Sequence, residues 1–144
     1  MYKPKNYTLS ELAHPQIIKA IGEKNTWRRL DEESLKDLQI IRDKWYDKYG
    51  SGIYINRLDI GLDSRGYRPP NDPDGSFYST HKQANTYDLE PVNGLIRELF
   101  NFIKYMIENG ELEKFNTMEN FEDTLGWVHV GYMNIEEKLL IIHL

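Results

Sequence analysis

The chain contains no cysteine. That absence excludes disulfide cross-links and thiolate metal sites, so any zinc would have to be held by histidine and carboxylate. No run of apolar residues approaches the roughly 20 needed to span a bilayer. The N-terminal Met1-Tyr2-Lys3-Pro4 likewise lacks the apolar core of a signal peptide. A chain made in the cytoplasm, with no membrane partner, is therefore expected. Positive charge is in deficit: 18 Lys and Arg against 23 Asp and Glu leave a formal net charge of −5, without a basic cluster. Nucleic acid is a poor partner for such a surface. Internal repeats, linkers and low-complexity segments are missing as well. What remains is ordinary globular material, 144 residues of which 40% are hydrophobic and 12% aromatic, enough for one domain over 1–144 with a real core.

Local patterns predict the elements. Thr8-x-x-Glu11 is a capping box that opens a helix running to about Gly22. Asp31 to Glu33 reads as the start of a second helix, in which Leu35, Leu38, Ile41, Trp45 and Tyr49 recur at helical spacing and Gly50 supplies the stop. Ile53 to Ile60, rich in β-branched and aromatic residues, is expected to be a strand. A loop follows from Gly61 to Thr80, and Thr86 to Glu90 forms a short strand. Pro91 is expected to begin a helix whose face is Leu95, Leu99, Phe102, Ile103 and Met106, ended by Asn109-Gly110. A hairpin and a last strand, Lys138 to Leu144, complete the chain. Helices packed on one side of a mostly antiparallel sheet make an α+β single domain.

His81, Asp88 and His129 carry the chemistry. Two imidazoles and one carboxylate, with a fourth position left to water, make a catalytic rather than a structural zinc site. Side chains alternate along a strand, so the odd offset between His81 and Asp88 requires a turn between them. A loop at Lys82 to Asn85 meets this need. It places Asp88 on the polar face with Thr86 and Glu90, and Tyr87 and Leu89 toward the core. In Trp127-Val128-His129-Val130 the same alternation sends the valines inward and leaves His129 with Trp127 on the other face. His14 and His143 belong to no such pattern and read as structural or exposed.

Three motifs in order, Gly66-Tyr67-Arg68, Ser79-Thr80-His81 through Asp88, and Trp127-Val128-His129-Val130, resemble the zinc D-alanyl-D-alanine carboxypeptidases and the related D,D-dipeptidases and phage endolysin peptidases. The resemblance covers about residues 35–133. It implies Zn2+ held by His81, Asp88 and His129, with Arg68 polarising the scissile carbonyl or holding substrate. Ser79 would assist with a hydrogen bond and Trp127 would wall the pocket. The implied partner is the D-amino-acid-containing stem peptide of peptidoglycan, met by a monomer, in the wall if the chain is released as a phage lysin. Carboxypeptidase and endopeptidase action both remain open. The chain departs from the pattern in having Ala84 where the family usually has Gly, Thr86 where it has Ala, and Gly126 where many members carry the catalytic acid.

A hairpin turn over Glu122 to Gly126, between Phe121 and Trp127, sets Glu119 opposite His129, within reach of a water at the metal. Glu119 is therefore the expected general base, with Glu122 and Asp123 as alternates. Two other functions fit the same residues: a relative that keeps zinc and binds wall peptide or a protein partner without hydrolysis, and a phage structural or assembly protein without metal.

Overall fold

The computed structural model describes residues 1–71 and 80–144. Its architecture is α+β, with four helices and a five-stranded, mostly antiparallel sheet. The helices are α1 (Leu9–Leu12), α2 (Pro15–Arg29), α3 (Glu32–Tyr49) and α4 (Ile96–Glu108). The strands are β1 (Ile53–Tyr54), β2 (Thr86–Pro91), β3 (Thr117–Glu119), β4 (Val128–Gly131) and β5 (Leu140–Ile142), in the order β1-β2-β4-β3-β5. Among the described strands, the pairing of β3 with the edge strand β5 is parallel and the others are antiparallel. No helix among the described residues is long and apolar enough to cross a membrane.

Period-2 alternation supplies one face of the core and period-3.6 spacing supplies the other. Tyr87 and Leu89 of β2, Val128 and Val130 of β4 and Met118 of β3 are buried with Leu35, Leu38, Ile41 and Trp45 of α3 and Leu99, Ile103 and Met106 of α4. Helix α3 begins as its sequence requires, Asp31 accepting a hydrogen bond from the Ser34 amide at 3.0 Å. It ends at Gly50, whose φ of +64° is the left-handed conformation that glycine adopts without steric cost.

Three expected boundaries differ. The helix opening at Thr8 stops after one turn. His14 precedes Pro15, which disfavours helical backbone, and the chain there pairs with Tyr67 through Tyr67 N to Leu12 O at 2.8 Å and His14 N to Tyr67 O at 2.9 Å. Helix resumes at Pro15 and continues past Gly22, which at φ +82° kinks it rather than ending it. The strand expected over Ile53 to Ile60 holds only two paired residues, because the chain then turns through a 3-10 segment at Leu58–Ile60 closed by mutual Arg57–Leu62 backbone bonds. Pro91 ends β2 opposite Ile53 instead of starting a helix, and α4 begins five residues later, after a turn that Asn93 stabilises by accepting from Leu95 N. Pro91 lies beyond the last β2–β4 pair, where a missing N–H breaks no bond to β4.

Asp37, buried on α3, ties the helix to the approach to β3. Its Oδ1 accepts from Glu113 N at 3.1 Å, and its Oδ2 from Lys114 N at 2.8 Å and Phe115 N at 2.9 Å. Burial raises its pKa and the three amides work against that shift. Asp37→Ala strands three donors, each costing about 1 kcal/mol or more when unsatisfied. Urea unfolding should show a loss of roughly 3 kcal/mol, with the midpoint shifted and the slope unchanged.

Candidate metal centre

The second face of the sheet is buried as well, and there the polar residues of the alternation meet. Asp88 and His129 are directly opposed across β2 and β4. His81 arrives from the 3-10 turn Thr80–Gln83 that precedes β2. The three residues are 6%, 6% and 3% exposed respectively, and one ligand atom from each lies within 4.8 Å of the others. Asp88 Oδ1 is 3.3 Å from His81 Nε2 and 3.0 Å from His129 Nδ1, and the two rings stand 5.1 Å apart between centroids. The face expected to be merely polar is closed over by the segment before β2.

A single segment, Arg65 to Arg68, orients both β2-side ligands. The Asp88 amide donates to Arg65 O at 2.7 Å, and the Arg68 amide donates to His81 O at 3.2 Å. His81 Nδ1 lies 3.1 Å from Gly66 O. A carbonyl oxygen only accepts, so Nδ1 carries a proton and Nε2 is the nitrogen turned to Asp88. A lone pair and a carboxylate oxygen facing each other in a buried site require a cation between them, a proton or a metal ion. Asp88 itself stays ionised. Burial pushes its pKa up, but the His81 charge, the hydrogen bonds of His129 and His81 and the His129 charge hold it well below the usual carboxylate range. An anionic carboxylate with two inward imidazole nitrogens is the donor set that a divalent metal ion requires. The buried triad can hold one.

Glu119 joins from the neighbouring strand. Met118 pairs with Val130, so the next step along the antiparallel ladder brings Glu119 level with His129, and its Oε1 lies 3.2 Å from His129 Nδ1. The alternates lie elsewhere. Glu122 is exposed and pairs with Arg97 at 3.7 Å, while Asp123 Oδ2 accepts from Leu144 N at 2.9 Å. Arg68 places a guanidinium nitrogen 3.6 Å from Asp88 Oδ2 and donates from Nε to Ser64 O. Trp127 lines, with Asp88, Arg65 and Arg68, a cavity of about 290 Å3. Ser79 falls outside the described residues.

Two supports hold the segment Arg65 to Arg68 in place, and of them only Gly66 belongs to a motif visible in the sequence. Asn56, buried, donates from Nδ2 to Ser10 O at 3.1 Å and Ala13 O at 3.2 Å, and accepts from Arg65 N at 2.9 Å, fastening α1 to the ligand-orienting segment. Gly66 is required by close approach, since a Cβ there would lie 2.1 Å from Leu12 O. The Gly66-Tyr67-Arg68 stretch is thus a backbone strap laid beside residues 12–14. The departures at Ala84 and Thr86 also have structural counterparts. Ala84 adopts φ +60°, a left-handed conformation that costs a non-glycine residue about 1 kcal/mol. Thr86 fills space left by its cross-strand partner Gly131, where a Cβ would come within 2.3 Å of the threonine hydroxyl.

Comparison with models of known families, with curated proteins and with solved structures finds no match to this chain.

Metal-free chain titrated with a divalent ion should bind one equivalent. At a thousandfold excess over the dissociation constant, binding confined to the native state raises unfolding free energy by about 4 kcal/mol. His129→Ala should abolish both the stoichiometric binding and the rise in melting temperature.

Proposed function

We propose that the chain is a zinc-dependent peptidase that hydrolyses a peptide bond in the D-amino-acid-containing stem peptide of bacterial peptidoglycan. The observation that carries this reading is the convergence of His81, Asp88 and His129 on one buried face, with the Glu119 carboxylate beside them. Three protein ligands are the complement of a catalytic zinc site, and the absence of cysteine leaves histidine and carboxylate as the only donors of the right kind. The ordered motifs that resemble the zinc D-alanyl-D-alanine carboxypeptidases supply the substrate class.

His81, Asp88 and His129 would hold a zinc ion, which when bound would polarise the scissile carbonyl and make water a stronger nucleophile near neutral pH. Glu119 Oε1 takes the proton of the attacking water and delivers it to the leaving amine nitrogen. From β3, Glu119 would take over the role of the acid that many members of that family carry three residues before the last His, where this chain has Gly126. Arg68 offers a fork of donors beside Asp88, suited to the developing oxyanion or to a terminal carboxylate. Trp127, in the wall of the same cavity, holds the substrate against solvent.

Gly126 and the strained Ala84 favour a second reading, in which the metal is kept and wall peptide is bound without being cleaved. Glu119→Gln separates the two. An enzyme loses about 10²- to 10⁴-fold in kcat while still holding one zinc per chain. Zinc-loaded wild type that releases no new amino groups from several types of purified peptidoglycan would establish the non-hydrolytic reading instead.

A further inference from the structure

The cavity beside the metal centre has a second charged group for which the chemistry above has no use. Asp63 lines it together with Arg65, Arg68, Asp88 and Trp127. Two of the cavity's charges are matched internally, Arg65 by Glu90 and Arg68 by Asp88. Among the described residues Asp63 meets Ser64, whose hydroxyl donates to Oδ1 at 3.1 Å, and His14, whose Nε2 lies 3.3 Å from Oδ2. The His14 contact brings no charge. His14 Nδ1 accepts a hydrogen bond from Gln16 N at 3.1 Å as the N-cap of α2, so that nitrogen is unprotonated and the remaining ring proton sits on Nε2. The neutral imidazole donates to Asp63, holds its rotamer and leaves its negative charge uncompensated. Among the described residues no lysine or arginine pairs with it. Its side chain remains 39% exposed, open on the cavity side.

A fixed carboxylate with a free charge, in the cleft that also holds Arg68, is complementary to a ligand cation. We infer that Asp63 is a specificity-determining residue that binds a primary ammonium group of the substrate. The inference rests on the peptidase reading for its substrate class. Such an ammonium has two sources in wall peptides, a free α-amino terminus and the side-chain amine of a diamino acid.

The test uses zinc-loaded wild type and Asp63→Asn, which keeps the side-chain shape and an oxygen for Ser64 or His14. Each is assayed on one stem peptide with both amines free, with only the α-amine acetylated, and with only the side-chain amine acetylated. Peptide affinity is measured in parallel on zinc-loaded Glu119→Gln with and without Asp63→Asn. A charge-assisted hydrogen bond predicts a loss of about tenfold to a hundredfold in kcat/KM, appearing in KM rather than kcat, when Asp63 is neutralised or when the recognised amine is acetylated. The two changes together should cost no more than either alone, and the acetylation that mimics the mutation identifies the source. Equal treatment of all three peptides by both proteins, in turnover and in affinity, overturns the inference while leaving the peptidase reading intact. Zinc-loaded wild type that cleaves none of the peptides overturns the peptidase reading. The amine dependence is then decided by the affinities alone, and failure to bind any of the peptides overturns both.

Discussion

The pairing of Asp88 with His129 across β2 and β4 is the constraint on which the rest of the site depends. A strand residue has only two faces to choose from, and a shift of one position in either strand would turn its ligand, Asp88 or His129, into the apolar core and that strand's core residues out. The alternation Tyr87, Leu89 against Val128, Val130 makes that shift costly, because fully buried apolar side chains would have to exchange places with Asp88 or His129 and its neighbours. Hydrophobic burial on the helix side therefore sets the geometry of the polar side. The same logic passes along β3: Met118 packs into the core opposite Val130, and Glu119 is carried to the level of His129.

The polar face of the sheet is covered by backbone rather than by a helix. Arg65 to Arg68 lies between β2 and the α1 end, accepting from Asp88 and His81 on one side and bonded to Leu12 and His14 on the other. Close packing of this kind leaves no room for a side chain at Gly66. Asn56 satisfies the peptide groups that the strap and the end of α1 would otherwise bury unpaired. The orientation of the His81 ring, and with it the nitrogen turned to Asp88, is thereby decided by a carbonyl fifteen residues earlier in the chain.

Much of this was legible locally. The two apolar stripes of α3 and α4, the Gly50 stop, the Asp31 cap and the alternating faces of β2 and β4 follow from spacing, and so does the opposition of Glu119 and His129 once the strands are taken as a hairpin. Two of the misplaced boundaries share a cause. At Ala13 and at Pro91 the chain leaves its local preference to pair with a segment distant in sequence, Tyr67 and Ile53 respectively. Propensity carries no information about such partners.

Residue types and their order determined by themselves which groups can serve: without cysteine, the candidates are His81, Asp88 and His129, and their periodicity keeps Asp88 and His129 off the apolar face. Tertiary structure alone decided that the three converge within 4.8 Å and are buried. It also decided that Glu119 rather than Glu122 or Asp123 stands beside them, and that Asp63 faces the same cavity with a neutral histidine behind it. The reason is physical. Alternation assigns a side chain to a face, but the distance between two side chains on that face depends on strand pairing and on the backbone bonds that bring remote loops against it.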